Sequence, residues 1–172
     1  DNSPLRRHRP AVWALWGAPQ AINVGDLLYA SANRSLVAVR DHVSPETALT
    51  LMERFQATCV RLCEGQYLDM DFETRATVTR EQYLAMIERK SAELIAYAAW
   101  SGAVAAGADA ARVEQMDAFG RRLGLGFQIQ DDVLGIWGSE TETGKSVSSD
   151  ILSAKKTLPW VHALEALPAR EA

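Results

Sequence analysis

Two adjacent aspartates inside an apolar stretch carry the strongest chemical signal in this sequence. Asp131 and Asp132 follow Phe127-Gln128 and precede Gly135, in a stretch that is predicted to be helical. Neighbouring carboxylates in the middle of a helix repel each other and lose part of their hydration. A hard cation such as Mg²⁺ relieves both penalties, because it prefers oxygen ligands and keeps several water molecules. The alternative, a polar turn at a helix N-terminus, fits the mid-helix position of the pair less well.

Lysines follow the aspartate pair in a polar segment that contains glycine and serine. Lys145 comes 14 residues after Asp131, and Lys155 and Lys156 lie further along the chain. Mg²⁺ sites commonly include phosphate oxygens as well as carboxylates. The aspartates and the lysines together therefore indicate a site for Mg²⁺ and a diphosphate.

The beginning of the chain offers a second set of cationic groups. Asp1 is followed by three arginines within ten residues, and two of them, Arg6 and Arg7, are adjacent. Each guanidinium presents a planar fork of donors that matches phosphate oxygens. A solvated basic terminus is the alternative interpretation of this segment.

Two further positions interrupt apolar helix faces. Lys90, next to Ser91, shares a stripe with Tyr83, so its ammonium must either extend to solvent or meet an anion. Gly65 lies inside a predicted helix, where it costs about 1 kcal/mol relative to alanine. Such a glycine serves close helix packing or the close approach of a ligand. Gln66 continues the apolar face and is therefore expected to be buried.

Helical spacing dominates the elements that must position these residues. The chain contains no proline between 46 and 158, and no clean apolar–polar alternation is found. Ser44-Pro45 offers an N-cap followed by proline, and Thr79 with Gln82 forms a capping-box pattern. The sequence predicts an all-α bundle of long, mostly antiparallel helices around a central cavity. The predicted helices cover 17–40, 45–70, 80–105, 109–137 and 156–167, with a polar loop at 138–155.

Composition limits the class of protein. The chain has 172 residues, of which 48% are hydrophobic and 23% are charged, and its net charge is −4. These values fit a single folded domain over residues 1–172 and argue against disorder and against nucleic acid as the main partner. No apolar run approaches the roughly 20 residues of a membrane span, so an integral membrane protein is not expected. Cys59 and Cys63 form neither a disulfide framework nor a zinc set, which favours a reducing, cytoplasmic setting.

Taken in order, these motifs resemble those of the trans-isoprenyl diphosphate synthases, the polyprenyl synthetase family. Asp1 resembles the last aspartate of the family's first Asp-rich motif, and Arg6-Arg7 the arginine pair that follows it. Gly65-Gln66 and Lys90-Ser91 are similar to its Gly-Gln and Lys-Thr motifs. The second Asp-rich motif and the lysines beyond it correspond to Phe127-Gln128 through Asp132, Gly144-Lys145 and Lys155.

The resemblance implies a prenyltransferase that condenses an allylic diphosphate with isopentenyl diphosphate after Mg²⁺-dependent ionisation of the allylic substrate. It implies that Asp1 and Asp131 bind the metal and that Asp132 supports that site. The implied catalytic residues are Lys90, Ser91, Gln128 and Lys145. The implied substrate-binding residues are Arg6, Arg7, Lys90, Gln128, Lys145 and Lys155, with Arg7 assigned to isopentenyl diphosphate. Family members usually form homodimers, so a homodimer is also implied.

The sequence departs from the family pattern in three ways. The leading aspartates of the first motif and the basic positions before it are absent, so we expect the C-terminal part of a catalytic domain that is inactive alone. Gly135 replaces the third aspartate of the second motif, a version associated with a bacterial subgroup related to geranylgeranyl diphosphate synthases. Two alternatives remain, a class I terpene cyclase and a non-catalytic helical partner subunit. Arg6-Arg7 and Lys90-Ser91 favour chain elongation over cyclisation, whereas Gly135 keeps the partner-subunit alternative open.

Overall fold

The structure, a computed structural model, describes residues 4–6, 9–138 and 155–167 and is built from helices, as predicted. A two-residue antiparallel pairing of β1 (Leu5–Arg6) with β2 (Arg9–Pro10) precedes them and was not predicted. A 3₁₀ turn covers Val39–Asp41, and a one-turn π-helix covers Glu88–Ala92. The α-helices in the described ranges are α1 (Val12–Ala38), α2 (Pro45–Thr74), α3 (Arg80–Ile87), α4 (Glu93–Ala105), α5 (Ala110–Trp137) and α6 (Leu158–Ala166).

Side-chain caps set the helix starts that the sequence indicated. The Ser44 hydroxyl accepts a hydrogen bond from the Thr47 N–H at 3.1 Å, with proline in the first turn. The predicted capping box at α3 is confirmed, since the Gln82 N–H donates to Thr79 Oγ1 and the Thr79 N–H donates to Gln82 Oε1. Asp109 caps α5 in the same way. These caps satisfy backbone donors that have no partner within the helix.

The first helix starts earlier than predicted but is interrupted where the prediction placed its start. α1 begins at Val12, yet Gly17 has φ 82° and ψ 163°, which is outside the helical region. Glycine tolerates this positive φ because it lacks a Cβ. Pro19 follows at the start of the regular part of the helix, where its missing N–H costs little. None of the α1 side chains is buried.

The third predicted helix, 80–105, is wrong in one respect, because the π-helix divides it into α3 and α4. The Glu93 N–H donates to the Glu88 carbonyl, five residues earlier, instead of to a carbonyl four residues earlier. No pattern in the local sequence indicates this change in the hydrogen-bond register of the helix. Such one-turn π segments are rare and occur frequently at functional sites.

The core is formed where α2, α3, α4 and α5 meet, and α6 closes one end. A Cβ at Gly120 would lie 2.7 Å from the Ala96 Cα, and one at Gly124 would lie 2.5 Å from the Ala92 Cα. α5 therefore approaches α4 and the π-helix at backbone contact distance. One apolar cluster joins α2, α3 and α6 through Phe72, Val78, Tyr83, Met86, Ile87 and Val161. A second cluster joins α2 and α4 through Leu51, Tyr97 and Trp100.

Within the described ranges, none of the helices combines the length and apolar character that crossing a bilayer requires.

Candidate functional site

Gly65 allows α2 to lie directly against the π-helix. A Cβ at this position would be 2.4 Å from the backbone nitrogen of Lys90 and 2.7 Å from its Cα. The expected close packing at Gly65 is thus a contact between two backbones. The expectation that Gln66 is buried is wrong, since Gln66 is exposed. Consecutive residues of an α-helix point about 100° apart, so Gln66 turns away when Gly65 faces the π-helix.

Lys90 meets an anion of this chain. Its ammonium pairs with the carboxylate of Asp69, which is 8% exposed. Asp69 was not predicted as a site residue, although it follows Gly65 by four residues and so lies on the same face of α2. That spacing is the signal that could have identified it. The pairing holds the Lys90 side chain at the protein interior instead of in solvent.

A chain of hydrogen bonds connects the π-helix to α5. Ser91 Oγ donates to Gln128 Oε1 at 2.6 Å, and Gln128 Nε2 donates to Asp132 Oδ1 at 2.9 Å. Both ends of the Gln128 amide are therefore engaged, which fixes its orientation. Ser91 and Gln128, 37 residues apart in sequence, are brought together by this packing.

Asp132 is a buried connector of three helices. Its Oδ2 accepts from the Tyr83 hydroxyl at 2.7 Å and from the Leu158 N–H at 3.1 Å, and its side chain belongs to a residue only 3% exposed. The carboxylate supplies an acceptor and a negative charge to the first turn of α6, whose own N-cap residue, Thr157, makes no side-chain cap. Burial and the Asp132 carboxylate raise the pKa of Tyr83 far above its usual value, so its hydroxyl remains a donor.

Asp131 differs from its neighbour in exposure and in hydrogen bonding. Its side chain is exposed, and no hydrogen bond or ion pair of Asp131 is found within the described ranges. In the same part of the chain, no three His, Cys, Asp or Glu side chains are grouped closely enough to hold a metal ion. Asp131 therefore offers one accessible carboxylate beside a neighbour whose two oxygens are already occupied.

Lys155 and Lys156, in the segment before α6, are half-buried and lie beside Lys90, Gln128 and Asp132. They line a small cavity together with Lys90, so the structure unites cationic groups that are 65 residues apart (155 − 90). Residues from α2, α3 and α5 complete the lining: Asp69, Tyr83, Met86, Ile87, Gln128 and Asp132. Cationic side chains therefore border this space from two directions.

Among the remaining predicted residues, those that the structure describes do not line this cavity. Asp1, Arg7 and Lys145 lie outside the described residues, as does most of the predicted 138–155 loop. Arg6 is exposed in β1, where it pairs in register with Arg9. The cysteines carry free thiols, and Cys63 is exposed whereas Cys59 is half-buried.

Comparison with known proteins places this geometry in a family. The model of the polyprenyl synthetase family matches residues 1–172. A geranylgeranyl diphosphate synthase of Methanosarcina mazei is 42% identical over 165 residues, which are 96% of this chain and 50% of that protein. The chain spans about half the length of the curated relatives that it matches.

Solved structures are similar to this chain in fold, and the chain again covers about half of each of them. Geranylgeranyl pyrophosphate synthetase from Pyrococcus horikoshii is similar with a TM-score of 0.89 and 36% identity, over 98% of this chain and 51% of that one. The geranyltransferase of Helicobacter pylori, solved with magnesium and isoprenyl diphosphate, is similar with a TM-score of 0.84 and 30% identity, over 96% of this chain and 54% of that one. With its whole length matched by the family's model, this chain belongs to the polyprenyl synthetase family.

Proposed function

We propose that the full-length protein is a prenyltransferase that condenses an allylic diphosphate with isopentenyl diphosphate. The observation that carries this proposal is the meeting of Lys90, Gln128 and Lys155 around one small cavity, with Ser91 hydrogen-bonded to Gln128. These residues come from separate motifs that resemble those of the family, and family membership supports the same activity. Relatives named as diphosphate synthases support the substrate class.

The cationic side chains would hold the allylic diphosphate. Asp69 pairs with the Lys90 ammonium, and both side chains line the cavity, which Lys155 borders from the segment before α6. By resemblance we assign Lys145 and Arg6 to the same diphosphate and Arg7 to isopentenyl diphosphate; for Arg6 the resemblance is the sole support, since Arg6 does not line the cavity. Each charge-assisted contact of this kind contributes about 1.5–3 kcal/mol. A diphosphate that enters would share Lys90 with Asp69, so substrate binding need not move the lysine far.

Ser91 and Gln128 would act on the carbocation and the allylic diphosphate as preoriented dipoles. The Gln128 amide is fixed at both ends, by Ser91 and by Asp132, before any substrate binds. Dipoles that need no reorganisation stabilise developing charge more than mobile ones do. The released diphosphate is the base for the final proton loss, so no basic side chain is assigned to that step.

Asp131 is the described residue that fits a magnesium ion. Mg²⁺ uses one or two carboxylates, several waters and substrate phosphates, and an exposed carboxylate without an internal partner meets that need. Asp1 would bind the metal from the opposite motif, and Asp132 would support the site by holding Gln128 and α6 in place. When bound, Mg²⁺ supplies charge that neutralises the leaving diphosphate.

We further propose a cytoplasmic homodimer. Every residue of α1 is at least partly exposed, and the helix carries a series of large apolar side chains. They are exposed by 40% to 67%: Trp13, Leu15, Trp16, Ile22, Leu27, Leu28, Tyr29 and Val37. Contiguous exposed apolar surfaces commonly mark protein–protein contacts. The two free thiols fit a reducing compartment.

The test compares two adjacent substitutions in the full-length protein. Asp131→Asn should lower the incorporation of labelled isopentenyl diphosphate by orders of magnitude and leave the free energy of unfolding unchanged. Asp132→Asn serves as the matched control and should destabilise the fold by about 1–3 kcal/mol, because it disturbs the three hydrogen bonds of a buried carboxylate. Near-normal turnover of Asp131→Asn would overturn the metal assignment. Wild-type protein that binds an unreactive diphosphate analogue with Mg²⁺ but transfers nothing would indicate a partner subunit, and a cyclic product would indicate a cyclase.

A further inference from the structure

One arginine joins both ends of the π-helix. Arg121 of α5 places Nη1 3.0 Å from Glu88 Oε1 and 2.7 Å from Glu93 Oε2. Glu88 is the first residue of the π-helix and Glu93 is the residue directly after it. The same two residues share the backbone hydrogen bond that defines the π register, from the Glu93 N–H to the Glu88 carbonyl. The two ion pairs of Arg121 with Glu88 and Glu93, called the clamp below, and a backbone hydrogen bond thus close the same turn.

This contact favours the π register over the α register. Side chains five residues apart in an α-helix point about 140° away from each other. A single nitrogen atom would then have difficulty in reaching both carboxylates. In the π-helix a backbone hydrogen bond joins the two residues across one turn, and one Arg121 nitrogen contacts both carboxylates. The ion pairs therefore stabilise the turn that contains Lys90 and Ser91.

The clamp is partly buried, so its loss should destabilise the turn. The Glu93 side chain is 10% exposed and that of Arg121 is 28% exposed. Glu93 also lies 3.4 Å from Arg61 Nε, and Asp117 lies 3.5 Å from Arg121 Nη2. Although burial acts in the opposite direction, the neighbouring carboxylates raise the pKa of Arg121, which keeps the guanidinium charged. Charge pairs that are screened little by solvent depend strongly on both partners.

We propose that Arg121 is a positioning residue for Lys90 and Ser91. It contacts neither side chain, but it holds the register that directs Lys90 toward Asp69 and the cavity and Ser91 toward Gln128. Reversion to the α register would rotate the residues on one side of the turn by about 100° relative to those on the other side. The catalytic consequence rests on the proposed prenyltransferase function, whereas the structural part does not.

Arg121→Met and Arg54→Met in the full-length protein form a matched pair. Both arginine side chains are 28% exposed, and both pair with Asp117, but only Arg121 reaches the π-helix. Both variants should lower the melting temperature. Only Arg121→Met should lower kcat/KM for the allylic diphosphate, by about 10- to 100-fold, since displacements of about 1 Å have effects of that size. Arg121→Lys should recover part of the loss.

Hydrogen exchange supplies a readout that does not depend on turnover. The Glu93 amide, which closes the π-helix, should exchange faster in Arg121→Met than in Arg54→Met. Equal exchange in the two variants would overturn the proposal, as would equal kcat/KM in an active enzyme. If Arg121→Met does not fold, Glu88→Gln removes one arm of the clamp and leaves Glu93 with both of its arginines, and the same comparisons apply to it. A wild-type protein without transferase activity would refute the proposed function, and the exchange result would still decide the role of Arg121 in the π register.

Discussion

Replacing Gly65 by alanine should displace the π-helix and reduce both stability and turnover of the full-length protein. A Cβ at this position would lie 2.4 Å from the Lys90 nitrogen, 2.7 Å from the Lys90 Cα and 2.9 Å from the carbonyl carbon of Arg89. Ordinary van der Waals contact begins at 3.4 Å, so the two backbones must separate by about 1 Å (3.4 − 2.4). Because all three contacts are with backbone atoms, no side-chain rotation relieves the overlap.

Two opposing effects set the size of the change. Overpacking of this kind costs about 1–3 kcal/mol, whereas alanine in a helix interior is about 1 kcal/mol more favourable than glycine. The free energy of unfolding should therefore fall by up to about 2 kcal/mol. Gly102→Ala is the matched control, since a Cβ there meets nothing within 4 Å. It should gain up to about 1 kcal/mol, so that the difference between the two variants isolates the overpacking.

Urea unfolding of the two variants and the wild type measures this difference, provided that the slope with denaturant stays the same. Steady-state kinetics should show kcat/KM for the allylic diphosphate reduced by about 10- to 100-fold in Gly65→Ala alone, because Lys90 moves with its backbone. A Gly65→Ala protein that equals Gly102→Ala in stability and the wild type in turnover would refute the reasoning.

Three other substitutions test separate parts of the structure. Burial and Asp132 raise the pKa of Tyr83, so above pH 10 the Tyr83 hydroxyl ionises only in the unfolded wild-type chain. This lowers the free energy of unfolding by up to about 1.4 kcal/mol per pH unit. Tyr83→Phe should therefore show a smaller fall of the unfolding free energy above pH 10. Parallel urea-unfolding results for the two proteins between about pH 9 and pH 11 would contradict this. Gly135→Asp should keep or tighten Mg²⁺ binding with a diphosphate analogue in titration calorimetry, whereas loss of activity in Gly135→Asp but not in Gly135→Ala would make Gly135 a packing position. Thr79→Ala should lower the melting temperature through a loss of about 1 kcal/mol from the capping box, and an unchanged melting temperature would show that the box contributes nothing.

Local sequence signals were sufficient for most helix boundaries. Ser44, Thr79 and Asp109 mark starts because their side chains satisfy nearby backbone donors, which requires no tertiary information. The order of the motifs was likewise sufficient to identify the family that the comparisons show. The start of α1 at Val12 was missed, because the conformation of Gly17 joins a short helical segment to the main one.

Tertiary packing decided what the sequence could not. Asp131 and Asp132 are equivalent in a sequence pattern. In the structure, however, Asp131 is exposed, whereas Asp132 is buried, with 3% exposure, and makes three hydrogen bonds. Their side chains point about 100° apart on α5, so only the position of the neighbouring helices determines which one is buried. The π-helix was missed for the same reason, since its stabilising contacts come from Gly65 on α2 and from α5.

A single stripe of α5 explains how these contacts are produced together. Gly120, Gly124, Gln128 and Asp132 follow one another at intervals of four residues, so they lie along one face of the helix. The two glycines bring α5 to backbone contact with α4 and the π-helix. At an ordinary helix crossing, side chains keep the two helix axes about 8–10 Å apart. The close approach lets the short Ser91 hydroxyl reach Gln128 at 2.6 Å, and the next residue of the stripe, Asp132, continues the contact to α3 and α6. The glycines therefore determine the geometry of the polar site although they contribute no functional group to it.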